Sequence, residues 1–300
     1  MERFPDHARV CFLGDSITAH CHYVRHIIAA YLDRFPQADM RFFNGGVVGA
    51  GAGHLLSYFD DTVTPRHPTH VVVMTGINDS ARWLLNEPRS IERYDSLRRS
   101  YDRYRANLTA LCERIEAIGA TVVLCTPPPY AEYEVSAEAP LHGGAALMEG
   151  YADFVRHLAE KRGYALVDQH AYLTRACQEE RLFWDDHIHL NERGHYYAAR
   201  NFLTQQGLAG AEDAPVPPWL FTWAEKNARL QETYAVECMI IHDFSLPQEQ
   251  KTQIVRDYIA RGEFASDWFR IIAEGYLVNQ PQREKLRAET DDMMAAGWSR

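Results

Sequence analysis

Val10-Cys11-Phe12-Leu13-Gly14-Asp15-Ser16-Ile17-Thr18 begins as an unbroken apolar run and ends in small and polar residues. An apolar run of that length without polar alternation suits a strand buried on both faces, as in a parallel sheet. Similar runs recur at Phe42-Phe43, Val71-Val72-Val73-Met74, Val122-Val123-Leu124 and Ala165-Leu166-Val167. Between them the apolar spacing turns helical: Tyr104, Leu108, Leu111, Ile115 and Ile118 form one stripe, and Tyr151, Phe154, Val155, Leu158 and Ala159 form another. Strands alternating with helices predict an α/β fold, with a parallel sheet covered by helices on both sides.

The remaining composition fits that reading. Three hundred residues with 46% hydrophobic and 24% charged side chains are ordinary for a folded chain and argue against disorder or a fibrous repeat. The 31 Lys+Arg against 41 Asp+Glu leave a formal net charge of −10, which repels phosphate backbones and anionic head groups, so neither nucleic acid nor a membrane surface is an expected partner. Met1-Glu2-Arg3-Phe4-Pro5-Asp6-His7 carries no apolar stretch that could serve as a signal-peptide core, and no later run approaches the ~20 apolar residues of a membrane span; the expected location is the cytoplasm. Six scattered cysteines without a CxxC pair read as buried free thiols.

The Pro-rich stretch Ala214-Pro215-Val216-Pro217-Pro218 marks a boundary. It divides a unit of alternating strands and helices over 1–210 from a mostly helical extension over 211–300, in which no further strand run is visible. Trp219, Trp223 and Trp268 in that extension are expected to anchor a helix on the core.

In open parallel sheets, ligands bind beyond the carboxyl ends of the strands. The residues expected there are Gly14-Asp15-Ser16-Ile17-Thr18 after the first strand, Asn44 to Gly51 after the second, Thr75-Gly76-Ile77-Asn78-Asp79 after the third and Thr126-Pro127-Pro128-Pro129 after the fourth. Trp184-Asp185-Asp186-His187-Ile188-His189-Leu190-Asn191 follows the fifth, past one helical stretch. A serine hydroxyl becomes a good nucleophile when an imidazole removes its proton, and the imidazole works best when a carboxylate fixes its tautomer. Ser16, His189 and Asp186 can fill these roles. Asp186 lies three residues before His189, close enough for one turn of backbone to hold carboxylate against ring. Backbone N–H groups of Ser16 and of a glycine in the second loop, with the Asn78 amide, supply donors for an oxyanion.

Gly14-Asp15-Ser16-Ile17-Thr18, the loop ending in Gly49, Gly76-Ile77-Asn78-Asp79 and Asp186-His187-Ile188-His189 resemble, in order, the four signature blocks of the SGNH/GDSL hydrolase family. The resemblance covers roughly the first two hundred residues and does not extend to the C-terminal part. It implies a flavodoxin-like three-layer α/β/α sandwich with a five-stranded parallel sheet, and a serine esterase that uses no metal and no cofactor. It also implies Ser16 as nucleophile, Asp186 and His189 completing a triad, and Ser16, Gly49 and Asn78 as the oxyanion hole. Gly45, Gly46 and Gly51 compete with Gly49 for the last role.

Other readings predict different chemistry. His20, His22 and His26, or His187, His189 and His195 with Asp185 and Asp186, could be metal ligands; that reading explains neither Ser16 nor Asn78. Trp184 and the loop Tyr130 to Leu141 are candidates for the cleft wall or for ordinary surface packing. The expected function is removal of a short acyl group, acetyl first, from a small polar ester such as an acylated carbohydrate. The alternatives are a lipase, lysophospholipase or thioesterase acting on longer chains, and a catalytically idle binding protein. Self-association stays open.

Overall fold

The computed structural model describes residues 1–298. Its N-terminal part runs β1 (Arg9–Gly14), α1 (Ser16–Ala19), α2 (His22–Arg34), β2 (Arg41–Gly46), α3 (Ala52–Ser57), α4 (Phe59–Thr62), β3 (His70–Met74), α5 (Ile91–Ala117), β4 (Thr121–Cys125), α6 (Gly144–Arg162), β5 (Ala165–Val167), α7 (Gln169–Ala176) and α8 (Glu192–Gln205). The C-terminal part adds α9 (Pro218–Val236), α10 (Gln248–Arg261), α11 (Asp267–Asn279) and α12 (Arg283–Trp298).

The five apolar runs are the five strands, all parallel, in the order β2-β1-β3-β4-β5. That order is the flavodoxin-like one, in which the order of strand addition reverses between β1 and β3; the two loops that diverge there open a crevice at the carboxyl ends of the strands. Successive residues of β1 serve opposite faces. Val10 and Phe12 join the core beneath α2 and α8, whereas Cys11 and Leu13 join the core beneath α3, α5 and α6. Cys11, Cys112 and Cys125 are buried free thiols, as expected.

The C-terminal helices take part in both cores. Leu220 and Trp223 of α9, with Met294 and Trp298 of α12, pack into the first; Leu230 and Tyr234 of α9 pack into the second. Helix α9 therefore passes around the edge strand β2, and Gln231 Nε2 donates to the Asn44 carbonyl at 2.9 Å. An open strand edge invites pairing with another chain, and α9 covers this one. Buried Arg66 pairs with Asp291 of α12 at 3.4 Å, tying the last helix to the segment before β3. Among the described residues no helix is long and apolar enough to cross a membrane.

Candidate active site

Ser16 is the first residue of α1, directly beyond β1. Asp15 caps this short helix by accepting from Ile17 N at 3.1 Å, which fixes the backbone that presents Ser16. The first N–H groups of a helix have no intrahelical acceptor, so the Ser16 amide is free to serve a ligand.

Asp186 and His189 sit in a loop closed by the antiparallel bridge Phe183–Leu190 and by Trp184 N donating to the His189 carbonyl at 2.8 Å. One oxygen of Asp186 accepts from the backbone N–H groups of Ile188 (3.0 Å) and His189 (2.9 Å), and the other accepts from His189 Nδ1–H at 2.5 Å. The turn needs a left-handed residue between acid and base, and His187 provides it at φ 61°. With Nδ1 occupied, His189 Nε2 faces Ser16 and accepts from its hydroxyl at 2.7 Å, across 173 positions of sequence. Burial alone would raise the Asp186 carboxyl, but the hydrogen bonds from the His189 ring and the two amides outweigh it and hold the group at about 2. The same bond from Asp186 raises His189 above its ordinary value against the opposing effect of burial, with a smaller upward contribution from the buried Asp15 carboxylate.

The second loop is tied to the first. Asn44 Nδ2 donates to the Ala19 carbonyl at 2.9 Å while its Oδ1 accepts from Gly46 N at 2.8 Å. Of the glycines in this loop, Gly49 has φ 78° and lines the cavity that holds Ser16 and His189. Gly46 is pressed against α1 instead, since a Cβ there would lie 2.4 Å from Ala19 N. Gly51 is the N-cap of α3, where Asp79 accepts from Ala52 N. Asn78 lines the same cavity as Gly49, with its Nδ2 donating one N–H to the Ala50 carbonyl at 3.1 Å and leaving the second. The structure thus gathers Ser16, Gly49, Asn78, Asp186 and His189 at the β1/β3 crevice.

The cavity around Ser16 has a volume of about 340 Å³, and a second space of about 400 Å³ opens on the other flank of His189 between His20, His22 and Trp184. Trp184, 57% exposed, is therefore part of the cleft. The loop from Tyr130 is not: Tyr130 to Glu134 wall a separate cavity with His170. Of the histidines considered as one metal group, His189 and His195 border the same space and His187 turns away from it. His187 donates from Nδ1 to the Ala131 carbonyl at 2.8 Å, with its Nε2 2.7 Å from Ser136 Oγ and 2.9 Å from the Glu138 carbonyl, and His195 stacks on His22 with ring centroids 4.8 Å apart.

Two further cavity residues are invisible in the motif pattern. Met239 and Trp268 from the C-terminal helices line the Ser16 cavity. Trp223 is the buried anchor expected of it, and Trp219 packs partly buried against the same core, but Trp268 is 37% exposed and faces the site. No local signal distinguishes a tryptophan that docks a helix from one that walls a cleft.

Residues 12–197 match the model of the GDSL-like lipase/acylhydrolase family. An acetylxylan esterase of Geobacillus stearothermophilus is 25% identical over 218 residues, which cover 67% of this chain and 94% of that protein. The solved structure of a catalytic mutant of an acetylxylan esterase from the same organism covers 68% of this chain and 96% of its own, with a TM-score of 0.57 at 23% identity. A gut microbial diltiazem-metabolizing enzyme of known structure covers 100% of this chain and 96% of its own with a TM-score of 0.77 at 15% identity, a likeness of fold that takes in the C-terminal helices. With the family's model matched across the sheet and all four loop motifs, this chain belongs to the GDSL-like lipase/acylhydrolases and is a carboxylic ester hydrolase.

Proposed function

We propose that the protein is a serine esterase that removes acetyl groups from a polar substrate such as a carbohydrate, through an acyl-enzyme on Ser16. The observation that carries this reading is the hydrogen-bonded chain from Ser16 Oγ to His189 Nε2 (2.7 Å) and from His189 Nδ1 to Asp186 (2.5 Å), facing a small cavity. His189 takes the Ser16 proton as the hydroxyl oxygen attacks the ester carbonyl, and Asp186 keeps the ring oriented and stabilises the imidazolium that forms. The negative oxygen is received by the N–H groups of Ser16 and Gly49 and by the Asn78 amide. His189 then gives its proton to the departing alcohol, and a water activated by the same ring releases the acid.

The short acyl group is supported by the cavity volume of about 340 Å³, at the lower end of the roughly 300–1,000 Å³ usual for ligand pockets. The sugar alcohol is supported by the 25% identical acetylxylan esterase and by the exposed Trp184 beside His189, a flat apolar face with a polar edge. The test is chain-length profiling with p-nitrophenyl esters alongside acetate release from acetylated xylo-oligosaccharides. The reading expects acetate to be the best acyl group and free acetate to appear from the sugar ester. Turnover that climbs through octanoate would replace it with a long-chain acylhydrolase.

A further inference from the structure

Met239 and Trp268 line the Ser16 cavity, and both lie outside the segment 12–197 that matches the family. Helix α9 does not stop at Val236. Its backbone widens into a π-helical turn over Glu237–Ile241, a rare conformation that recurs at functional sites. Met239 sits in the middle of that turn and rests on Gly49: a Cβ built on the glycine would be 2.7 Å from Met239 Sδ and 2.8 Å from its Cγ.

The turn is held firmly. Glu237, its first residue, is buried and accepts from Lys251 Nζ of α10 at 2.7 Å and from Arg283 Nη2 of α12 at 2.6 Å. Arg283 Nε also donates to Thr233 Oγ1 at 2.9 Å. Cys238 packs into the second core and Ile241 into a small third one formed with Val255, Ile272 and Tyr276. Two further helices and two cores therefore fix the backbone on either side of Met239.

The chemistry of acyl transfer says which part of the substrate this side chain meets. The tetrahedral carbon carries the oxyanion, Ser16 Oγ, the departing alcohol and the acyl substituent, so once the first three are directed to the donors, to Ser16 and to His189, the acyl substituent takes the one remaining direction. The departing alcohol lies on the side of His189, which protonates it. A wall resting on Gly49 borders that direction, and Val48, Ile77 and Ile188 give the cavity apolar surface suited to an acyl chain, while His20 and Arg82 line it as well.

We propose that Met239, carried on the π-helical turn, is the residue that limits acyl chain length, with Trp268 of α11 closing the same pocket. This deepens the reading of Ser16 as the acylated residue and rests on it. The C-terminal helices then finish the substrate site in addition to covering the edge of the sheet.

The experiment measures kcat/KM for p-nitrophenyl acetate, butanoate and hexanoate with the full chain and with Met239→Ala, Met239→Leu and Met239→Phe, with Tm recorded for each. One methylene in an apolar pocket is worth about 10–200-fold in discrimination. Met239→Ala should raise the butanoate-to-acetate ratio about tenfold or more, Met239→Leu should keep the parental ratio, and Met239→Phe should lower it about tenfold. Ratios unchanged in Met239→Ala and Met239→Phe proteins of parental Tm would overturn the proposal. Should Met239→Ala not fold, the Met239→Phe ratio decides alone. A parent that prefers long esters refutes the acetyl reading but leaves this comparison of ratios standing, and loss of all activity in Ser16→Ala tests the acyl-enzyme separately.

Discussion

The loops at the strand ends and the C-terminal helices both reach the substrate pocket, but they are held in place by different forces. The Asp186–His189 loop is fixed largely through backbone groups near and far: two amides donate to one oxygen of Asp186, Phe183 and Leu190 form a bridge seven positions apart, and the Ala131 carbonyl accepts from His187 across 56 positions. The π-helical turn that carries Met239 is fixed by a buried carboxylate whose partners lie 14 and 46 positions away. Backbone hydrogen bonds hold the chemical machinery, and the pairing of buried charges holds the wall that shapes its substrate.

Substitutions should separate the two regions, and the largest effects belong to the loops. Ser16→Ala and His189→Ala should each lower kcat about a million-fold, leaving only what binding and the oxyanion donors contribute, while thermal unfolding stays near the parent. Asp186→Asn should cost about ten-thousand-fold, because the amide no longer enforces the tautomer that frees Nε2.

The pH profile sharpens the same point. Only neutral His189 can act as base, and its pKa is raised above the ordinary 6.5, mainly by the bond from Asp186. Activity should therefore be full above the raised value and lost as pH falls through it. In Asp186→Asn the acid limb of the residual kcat/KM profile should move to lower pH; a limb that stays in place would show that another group governs it.

On the side of the helices, Glu237→Ala leaves Lys251 and Arg283 without their buried partner and should destabilise the fold by about 3–5 kcal/mol, read from denaturant unfolding. A change under 1 kcal/mol would mean that water reaches the network, and the contrast between the regions would fail. Asn78→Ala removes one oxyanion donor and should lower kcat by about 10²–10³ with KM little changed. The smallest effect is expected from Asp15→Asn: the amide oxygen can still cap Ile17, so the protein should fold normally. The acid limb should shift downward, by less than in Asp186→Asn, because Asp15 acts on His189 through charge alone.

The same division explains what could be read from the sequence. The five strands follow from apolar runs such as Val10 to Leu13, because burial on both faces leaves a local trace. Ser16, Asp186 and His189 lie in short polar blocks directly after strands or in the late loop, and their convergence follows from the parallel order of the sheet. Gly49 is separable from Gly45, Gly46 and Gly51 only with the backbone in hand, since all four are glycines in one loop and their roles differ by φ and by what lies against them. Met239 and Trp268 leave no trace at all. The position of Met239 depends on Glu237 meeting Lys251 and Arg283, a pairing of charges that composition and periodicity cannot distinguish from a solvated helix face.

The measurement that bears most directly on the whole account is labelling with a fluorophosphonate, followed by mass spectrometry of the peptide that contains Ser16. An activated Ser16 predicts one phosphonyl group on that residue, loss of esterase activity in step with labelling, and no labelling in His189→Ala. A folded protein that hydrolyses esters with Ser16 unmodified would contradict it.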